Sequence, residues 1–497
     1  MKPQSITPSE QTSRHGWNLE HSYARLPALL FEPWQVTPAR APRAVVINRA
    51  LATELGLDAE HLASPEGTAI LAGNTLPPNA FPIAQAYAGH QFGNFTGLGD
   101  GRALLLGEQI APDGRRFDVQ WKGSGPTPFS RGGDGRAALG PMLREFVISE
   151  AMHRLGIPTT RVLAVTATGE TVLRHDGPLP GAVLTRIASS HIRIGTFQWA
   201  AAHEDTACLA ALLEHTLTRH FPDHRNAANP AIALLDAVIS SQASLVARWM
   251  NTGFVHGVLN TDNTALSGET IDYGPCAFLD AYDPSTVFSS IDRHGRYAFG
   301  NQPDIIGWNL TRLAGTLVPL IDKDPEHAVD LAKDALARFP ERFQSAFHTG
   351  LLAKIGITTP HEGDTALASR LLAWMRESKA DFTNTFLALS QPEALQSPPF
   401  AEPSFREWHA RWLDRIRTAQ DPQTSLATMR ANNPTVIPRN HKVEEALAAA
   451  TNDGNLQPLE TLLQQLASPY DHSNPAAAEF REPAPPGSPP YRTFCGT

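Results

Sequence analysis

A chain of 497 residues with a net charge of -9, 42% hydrophobic and 18% charged residues has apolar material for roughly two to four domains. Its acidic balance excludes a general nucleic-acid binder. Three cysteines, Cys208, Cys276 and Cys495, exclude a disulfide scaffold and point to a reducing compartment, with the cytoplasm as the simplest assignment. The N-terminus has no apolar h-region, and no stretch approaches the ~20 apolar residues of a bilayer crossing, so neither secretion nor a membrane is expected.

Residues 1–15 are polar and read as a flexible start. Residues 16–200 read as a strand-rich lobe. It opens with a helical stretch at Asn48–Leu57 and becomes glycine-rich and strand-like from Ala88 to Gly135. Ala103–Gln109 and Arg116–Lys122 are apolar or alternating runs joined through Asp113-Gly114, a hairpin signal. Gly140-Pro141 opens a helix at Met142–Leu155, which Gly156 and Pro158 stop. Strands are expected at Arg161–Thr166, Thr171–Leu173 and Ala182–Arg186.

Residues 201–467 turn helical, at Ala207–His220, Ala231–Asn251, Ile305–Ile321, Ala328–Thr349, Thr365–Ser378, Phe405–Ala419, Lys442–Ala450 and Leu459–Leu466. An irregular polar stretch from Gly253 to Gln302 interrupts them. Residues 468–497 are proline-rich and read as a tail ending in Cys495. Strands first and helices after predict an α+β fold of two lobes, not alternating βα units.

Three constellations carry chemistry. In Gly97-Leu98-Gly99-Asp100-Gly101-Arg102, glycines let backbone N–H groups approach a phosphate, although an ordinary tight turn is equally glycine-rich. Lys122 ends a strand in which Phe117, Val119 and Trp121 alternate with Asp118, Gln120 and Lys122. A solvated lysine is the commoner fate of that position. A glycine loop, a strand lysine and then a helix glutamate (Glu145 or Glu150) nevertheless follow the order of a protein-kinase N-lobe. The loop Ser130–Arg136 between them is unusually rich in glycine and charge.

The third constellation is His256-Gly257-Val258-Leu259-Asn260-Thr261-Asp262-Asn263, followed by Ile271-Asp272-Tyr273-Gly274. Asn263 and Asp272 match the two metal ligands of kinases in type and order, and such oxygen ligands suit Mg²⁺ or Mn²⁺. The kinase base position falls on Val258, which accepts no proton, while a carboxylate reappears at Asp262. Arg186 and Arg193 are further candidates for phosphate contact.

The runs Tyr87–Gly93, Gly97–Arg102, Trp121–Arg136, Ser189–Gly195, Asn260–Pro275, Gly295–Tyr297 and Asn301–Pro303 closely resemble the SelO/YdiU (selenoprotein O) family. The resemblance spans nearly the whole chain, with Asn433-Pro434 and a cysteine third from the end. It implies a protein-kinase-like two-lobed fold with extra N- and C-terminal helical elements. It also implies ATP bound in an inverted orientation, and transfer of AMP to Ser, Thr and Tyr hydroxyls of proteins. Carried over by motif, it implies nucleotide contacts at Gly99, Gly101, Arg102, Lys122, Asp134, Gly135, Arg186, Arg193 and Asp272. Asp262 would accept the proton, Asn263 and Asp272 would hold Mg²⁺ or Mn²⁺, and Glu145 would pair with Lys122. The expected partners are ATP and protein substrates, with no nucleic acid, no membrane and a monomeric chain. Rival readings are a protein kinase, which Val258 opposes, and a non-catalytic nucleotide-binding pseudokinase scaffold, which the intact Asp262, Asn263 and Asp272 oppose. Some bacterial relatives pair a loop cysteine with the C-terminal one; that position here is Phe288, and Cys276 lies upstream. For Cys495 two states stay open, an oxidised bond to Cys276 or an unpaired thiol.

Overall fold

The computed structural model describes residues 15–174, 177–391, 393–419, 421–485 and 487–493. Its architecture is α+β, with one large sheet and many helices. The chain divides into two compact units. The first comprises the stretches up to Ala86, Gly99–Met142 and Val162–His191; the second comprises Tyr87–Leu98, Leu143–Arg161 and the chain from Ile192 onward.

The strands are β1 (Leu19–Glu20), β2 (Phe31–Pro33), β3 (Arg43–Ile47), β4 (Ile83–Gln85), β5 (Ala88–Gln91), β6 (Asn94–Gly97), β7 (Ala103–Ile110), β8 (Arg116–Lys122), β9 (Ala137–Ala138), β10 (Arg161–Arg174), β11 (Gly177–Ala188), β12 (Phe254–Val255) and β13 (Ala277–Phe278). The first unit is built on a sheet ordered β2-β4-β7-β8-β11-β10-β3, with β1 on β7 and β9 on β11. β8 lies antiparallel to both neighbours, Lys122 opposite Ala103 on one side and Leu184 on the other. The period-2 alternation of β8 sends Val119 and Trp121 into an apolar core shared with Leu51, Leu55, Leu62, Leu71, Leu163 and Val183. Three short helices supply much of that core: α1 (Arg49–Glu54), α2 (Ala59–Ala63) and α3 (Pro65–Leu71). Asn48 starts α1 by accepting the Leu51 N–H at 3.1 Å. Trp121 is 1% exposed, and its truncation to alanine costs about 3–5 kcal/mol in such a core. Asp118, Gln120 and Lys122 on the other face are buried too, so the sheet carries a dry polar side.

α4 (Leu139–Arg154) leads from the first unit into the second. The second continues with α5 (Ile194–Ala202), α6 (Thr206–His220), α7 (Pro230–Thr252), α8 (Gln302–Ile321), α9 (Pro325–Leu336), α10 (Phe339–Lys354), α11 (Asp364–Ser378), α12 (Phe382–Ala388), α13 (Pro403–Ala419), α14 (Pro422–Asn432), α15 (Asn440–Asn452) and α16 (Gln457–Leu466). At the centre α7 packs against α8 and α10. Asn229 caps it, Pro230 opens it, and Gly253 closes it in a left-handed conformation.

Several expectations need correction. α7 is long and apolar enough to cross a membrane by length and composition, contrary to the reading of the sequence, but 56% of that window is buried against neighbouring helices. The single helix expected at Ala328–Thr349 is two, α9 and α10. Pro340 lacks an N–H and crowds the residue before it, so a new helix starts there. The two strands expected within 161–173 are one, because Gly169 bends β10 without ending it. The stretch expected as a tail is docked: Pro469 O accepts the Thr435 N–H at 2.7 Å, and Thr493 forms a parallel bridge with Ser289. Proline there enforces extension, not detachment.

Candidate nucleotide and metal site

In the first unit the polar face of β8 gathers a buried hydrogen-bond chain. Arg186 on β11 faces Gln120 across the sheet. Its Nε and Nη2 donate to Gln120 Oε1 at 3.2 and 2.6 Å. Gln120 Nε2 donates in turn to Asp100 Oδ2 at 3.0 Å. Lys122, two residues along the same face, is 6% exposed and Arg186 is 2% exposed. Two cations this dry are costly unless anionic groups surround them. His191 is fixed by Asp118, whose Oδ2 lies 2.9 Å from its N and 3.0 Å from its Nδ1.

The glycine loop is held down by the loop after it. Thr127 Oγ1 donates to Asp100 O at 2.6 Å, and Ser130 Oγ donates to Gly101 O. Gly99 has φ +88°, and a β-carbon there would lie 2.4 Å from the Phe129 ring, so only glycine fits. Arg102 is half-buried and makes no side-chain hydrogen bond or ion pair among the described residues. Asp134 receives both terminal nitrogens of Arg174 at 2.9 and 3.3 Å. Partial burial works against its charge, but Arg174 and the Arg136 N–H hold its carboxyl below the usual range. Gly135 O accepts the Gly125 N–H at 3.1 Å, which closes this loop.

In the second unit the chemistry sits on a one-turn 3₁₀ helix, Thr261–Asn263. Asn263 Nδ2 donates to the carbonyl of Val258 at 3.1 Å, so the residue at the kinase base position serves only as a backbone anchor. His256 is fully buried, and that burial pushes its pKa below the ordinary value. Its Nε2 lies 2.9 Å from Ile271 O, and Val258 N–H donates to Nδ1 at 3.4 Å. The neutral imidazole therefore ties one loop to the other, just before Asp272.

Arg193 joins the two acids. Its Nη1 donates to Asp262 O at 3.1 Å and to Asp272 Oδ2 at 3.3 Å, while its guanidinium lies 4.4 Å from the Tyr87 ring centre. Asp272 holds φ +62°, a strained conformation for a residue with a β-carbon. Asp262 is 6% exposed. Burial raises its pKa to about 6; Arg193 and Gln91 pull it down and Asp272 pushes it up. Its Oδ1 is buried with no hydrogen-bond partner.

The Asp272 carboxylate and the Asn263 amide oxygen are donors of the kind a hard divalent cation takes. Among the described residues no group of three or more His, Cys, Asp or Glu side chains forms a ready-made cage. Substrate phosphates and water would therefore supply the remaining ligands, as is usual for Mg²⁺.

Glu145, the expected partner of Lys122, is buried on α4; Tyr273 and Cys276 have their pKa values raised mainly by burial, with a smaller push from the Glu145 charge. Glu150 is taken by Arg161, at 2.9 and 2.8 Å. Cys276 is a free, fully buried thiol, and burial raises its pKa to about 11. Cys495, its suggested oxidised partner, lies outside the described residues.

Sequence reasoning missed four supports of the acid loop. A β-carbon on Gly89 would lie 2.1 Å from Asp262 Oδ1. His90 N–H donates to Thr261 Oγ1 at 2.7 Å, and Thr261 donates to Gln198 at 2.6 Å. Tyr297 OH donates to Asn260 Oδ1 at 2.6 Å. Gly89, His90 and Tyr297 lie in runs already singled out by resemblance; Gln198 carried no signal.

Comparison with known proteins gives this arrangement its context. Proteins named "Protein nucleotidyltransferase YdiU" are similar along almost their whole length. One from Syntrophotalea carbinolica is 55% identical over 98% of this chain and 99% of its own. One from Geobacillus kaustophilus is 54% identical over 97% and 99%, and one from Methylorubrum extorquens 55% identical over 96% and 99%. The chain is thus of the nucleotidyltransferase class. The family model described as "Protein adenylyltransferase SelO" matches residues 17–467, and the chain belongs to that family. Neither comparison supports a non-catalytic pseudokinase scaffold.

Proposed function

We propose that this chain transfers AMP from ATP to Ser, Thr and Tyr hydroxyls of proteins. The hydroxyl oxygen forms a bond to the α-phosphorus while the α–β bridging bond breaks, and pyrophosphate leaves with the bonding electrons. The hydroxyl proton passes to Asp262. One observation carries the reading: a buried carboxylate with an unpartnered oxygen and a pKa raised to about 6 sits on the loop where a kinase base would be, four residues past Val258. A base with a pKa near the working pH is well matched to that proton.

Lys122, Arg186, Arg193 and Arg102 offset the charge of the phosphate chain, and such transfers depend mainly on positioning and neutralisation. Gly99, Gly101, Asp134 and Gly135 complete the nucleotide contacts. Asn263 and Asp272 would hold Mg²⁺ or Mn²⁺, which would supply counter-charge to the triphosphate when bound.

The test uses two labels. ATP labelled on the α-phosphate should label protein, γ-labelled ATP should not, and Asp262→Ala should abolish the signal in a folded protein. Labelling from the γ-phosphate alone would make the chain a kinase.

A further inference from the structure

The β5–β6 hairpin, which seats Asp262 through Gly89, also builds a surface. His90 lies edge-on to Phe95 at 5.3 Å and to Trp308 of α8 at 5.2 Å between ring centres. Phe95 is 50% exposed, among the few large apolar side chains left in water. Two guanidiniums stack on Trp308, Arg296 at 4.9 Å and Arg312 at 5.0 Å from the ring centre.

Neither arginine forms an ion pair among the described residues, and the Nε of each is buried without a hydrogen-bond partner. Asp292, four residues before Arg296, gives its carboxylate to the backbone N–H groups of Arg296 and Tyr297. On a chain of net charge -9, two unpaired cations on one indole stand out. Stacking fixes both guanidinium planes; Arg296 also bonds the Tyr297 hydroxyl, and with each Nε buried it is the terminal nitrogens, those of Arg312 above all, that can meet a carboxylate.

The patch is wired to the reaction loop. His90 N–H holds Thr261, and Tyr297, next to Arg296, holds Asn260. A chain bound here lies within a few residues' reach of Asp262.

We propose that Phe95, Trp308, Arg296 and Arg312 form the docking surface for the acceptor protein, and that its occupant is an acidic segment whose Asp or Glu side chains flank the hydroxyl to be modified. This rests on the reading of the chain as a protein-modifying transferase. The two arginines grip carboxylates and Phe95 covers the apolar part of the segment. The net charge of -9 repels acidic chains that lack this grip, so the patch works by selection as well as attraction.

The experiment separates docking from transfer. Binding of a fluorescein-labelled peptide, a tyrosine flanked by glutamates, is followed by anisotropy in the absence of ATP, beside the same peptide with glutamines. The acidic peptide should bind at least about 10-fold tighter and weaken with salt. Arg312→Glu should remove the preference, Arg312→Lys should keep part of it, and Phe95→Ala should weaken both peptides. Equal binding of the two peptides, or an unchanged preference in folded Arg312→Glu protein, overturns the proposal. So does displacement of the peptide by a single-stranded oligonucleotide at lower concentration, which would mark a nucleic-acid surface. Transfer of α-label to the same peptides is scored separately: selective binding without transfer leaves docking intact and sinks the adenylyltransferase reading.

Discussion

The β-carbon that Gly89 lacks would lie 2.1 Å from Asp262 Oδ1. On the proposed mechanism the hydroxyl proton passes to that carboxylate, which makes space at residue 89 a condition of the chemistry. Gly89→Ala should displace the Asp262 side chain and lower AMP transfer by about 10²-fold, the scale of a 1 Å misplacement. Circular dichroism should show the fold retained. Near-normal transfer in Gly89→Ala protein would mean that Asp262 is not held where the reaction needs it.

Burial raises the Asp262 pKa from 3.8 to about 6, and this has a thermodynamic sign. The folded carboxyl binds its proton more tightly than the unfolded one, so the native state loses stability as pH rises from about 4 to 6, by about 3 kcal/mol at full shift. Asp262→Asn should therefore be more stable than wild type at pH 7 in EDTA and inactive. The gain should fade towards pH 4. Melting curves across that range check it, and a variant less stable at pH 7 would refute the assigned cost.

Arg193 spans Asp262 O and Asp272 Oδ2 with one nitrogen while lying against Tyr87. A lysine ammonium is a point charge on a flexible stem and cannot reproduce that stacked fork. Arg193→Lys should keep the fold and lower kcat by at least about 10-fold, because both acids lose a fixed partner. Steady-state kinetics decide it; a change confined to KM would assign Arg193 to nucleotide binding alone.

Much of this was legible in the sequence. β8 has the ends its alternation predicts, and the segment carrying Asp262, Asn263 and Asp272 falls in the largely irregular stretch expected between Gly253 and Gln302. What stayed hidden depends on contacts between distant stretches. Gly89 is one of many glycines until Asp262 is packed against it, and the His90–Thr261 bond joins positions 171 residues apart. α5 escaped notice because Arg193, not Ser, Thr, Asp or Asn, stands at its N-cap. Alternation put Asp118, Gln120 and Lys122 on one face of β8 but left open whether that face is solvated, because it shows which residues share a face and not whether water reaches them.

Lys354 ends α10 fully buried, 3% exposed. Burial lowers its pKa from 10.5 to about 7, and among the described residues its Nζ meets Asn432 O at 3.3 Å and the rings of Phe382 and Phe386. With the folded pKa below the unfolded one, the cost is full below about pH 7 and falls away as pH rises towards the unfolded value. Lys354→Met should thus raise stability at pH 7 by about 1–3 kcal/mol, with a smaller gain at pH 10. Chemical denaturation at the two pH values measures it. A destabilised variant would show that the aromatic rings and Asn432 more than offset desolvation.

Tyr491 lies under the Arg144 guanidinium at 5.9 Å, contacts the Phe288 ring and donates its hydroxyl to Glu444 at 2.5 Å. Arg144 in turn donates to Cys276 O at 2.6 Å. Tyr491→Ala should cost about 1–2 kcal/mol and should speed protease cleavage between residues 284 and 296. Unchanged cleavage would show that the docked end does not restrain that segment.

The Thr493 hydroxyl donates to Pro275 O at 2.8 Å, three residues past Asp272. That bond joins positions 218 residues apart, so the backbone just after Asp272 is held by a stretch remote from it in the chain. Local opening of either stretch therefore frees the other, and the order of the Asp272 loop is only as lasting as the seat of Thr493.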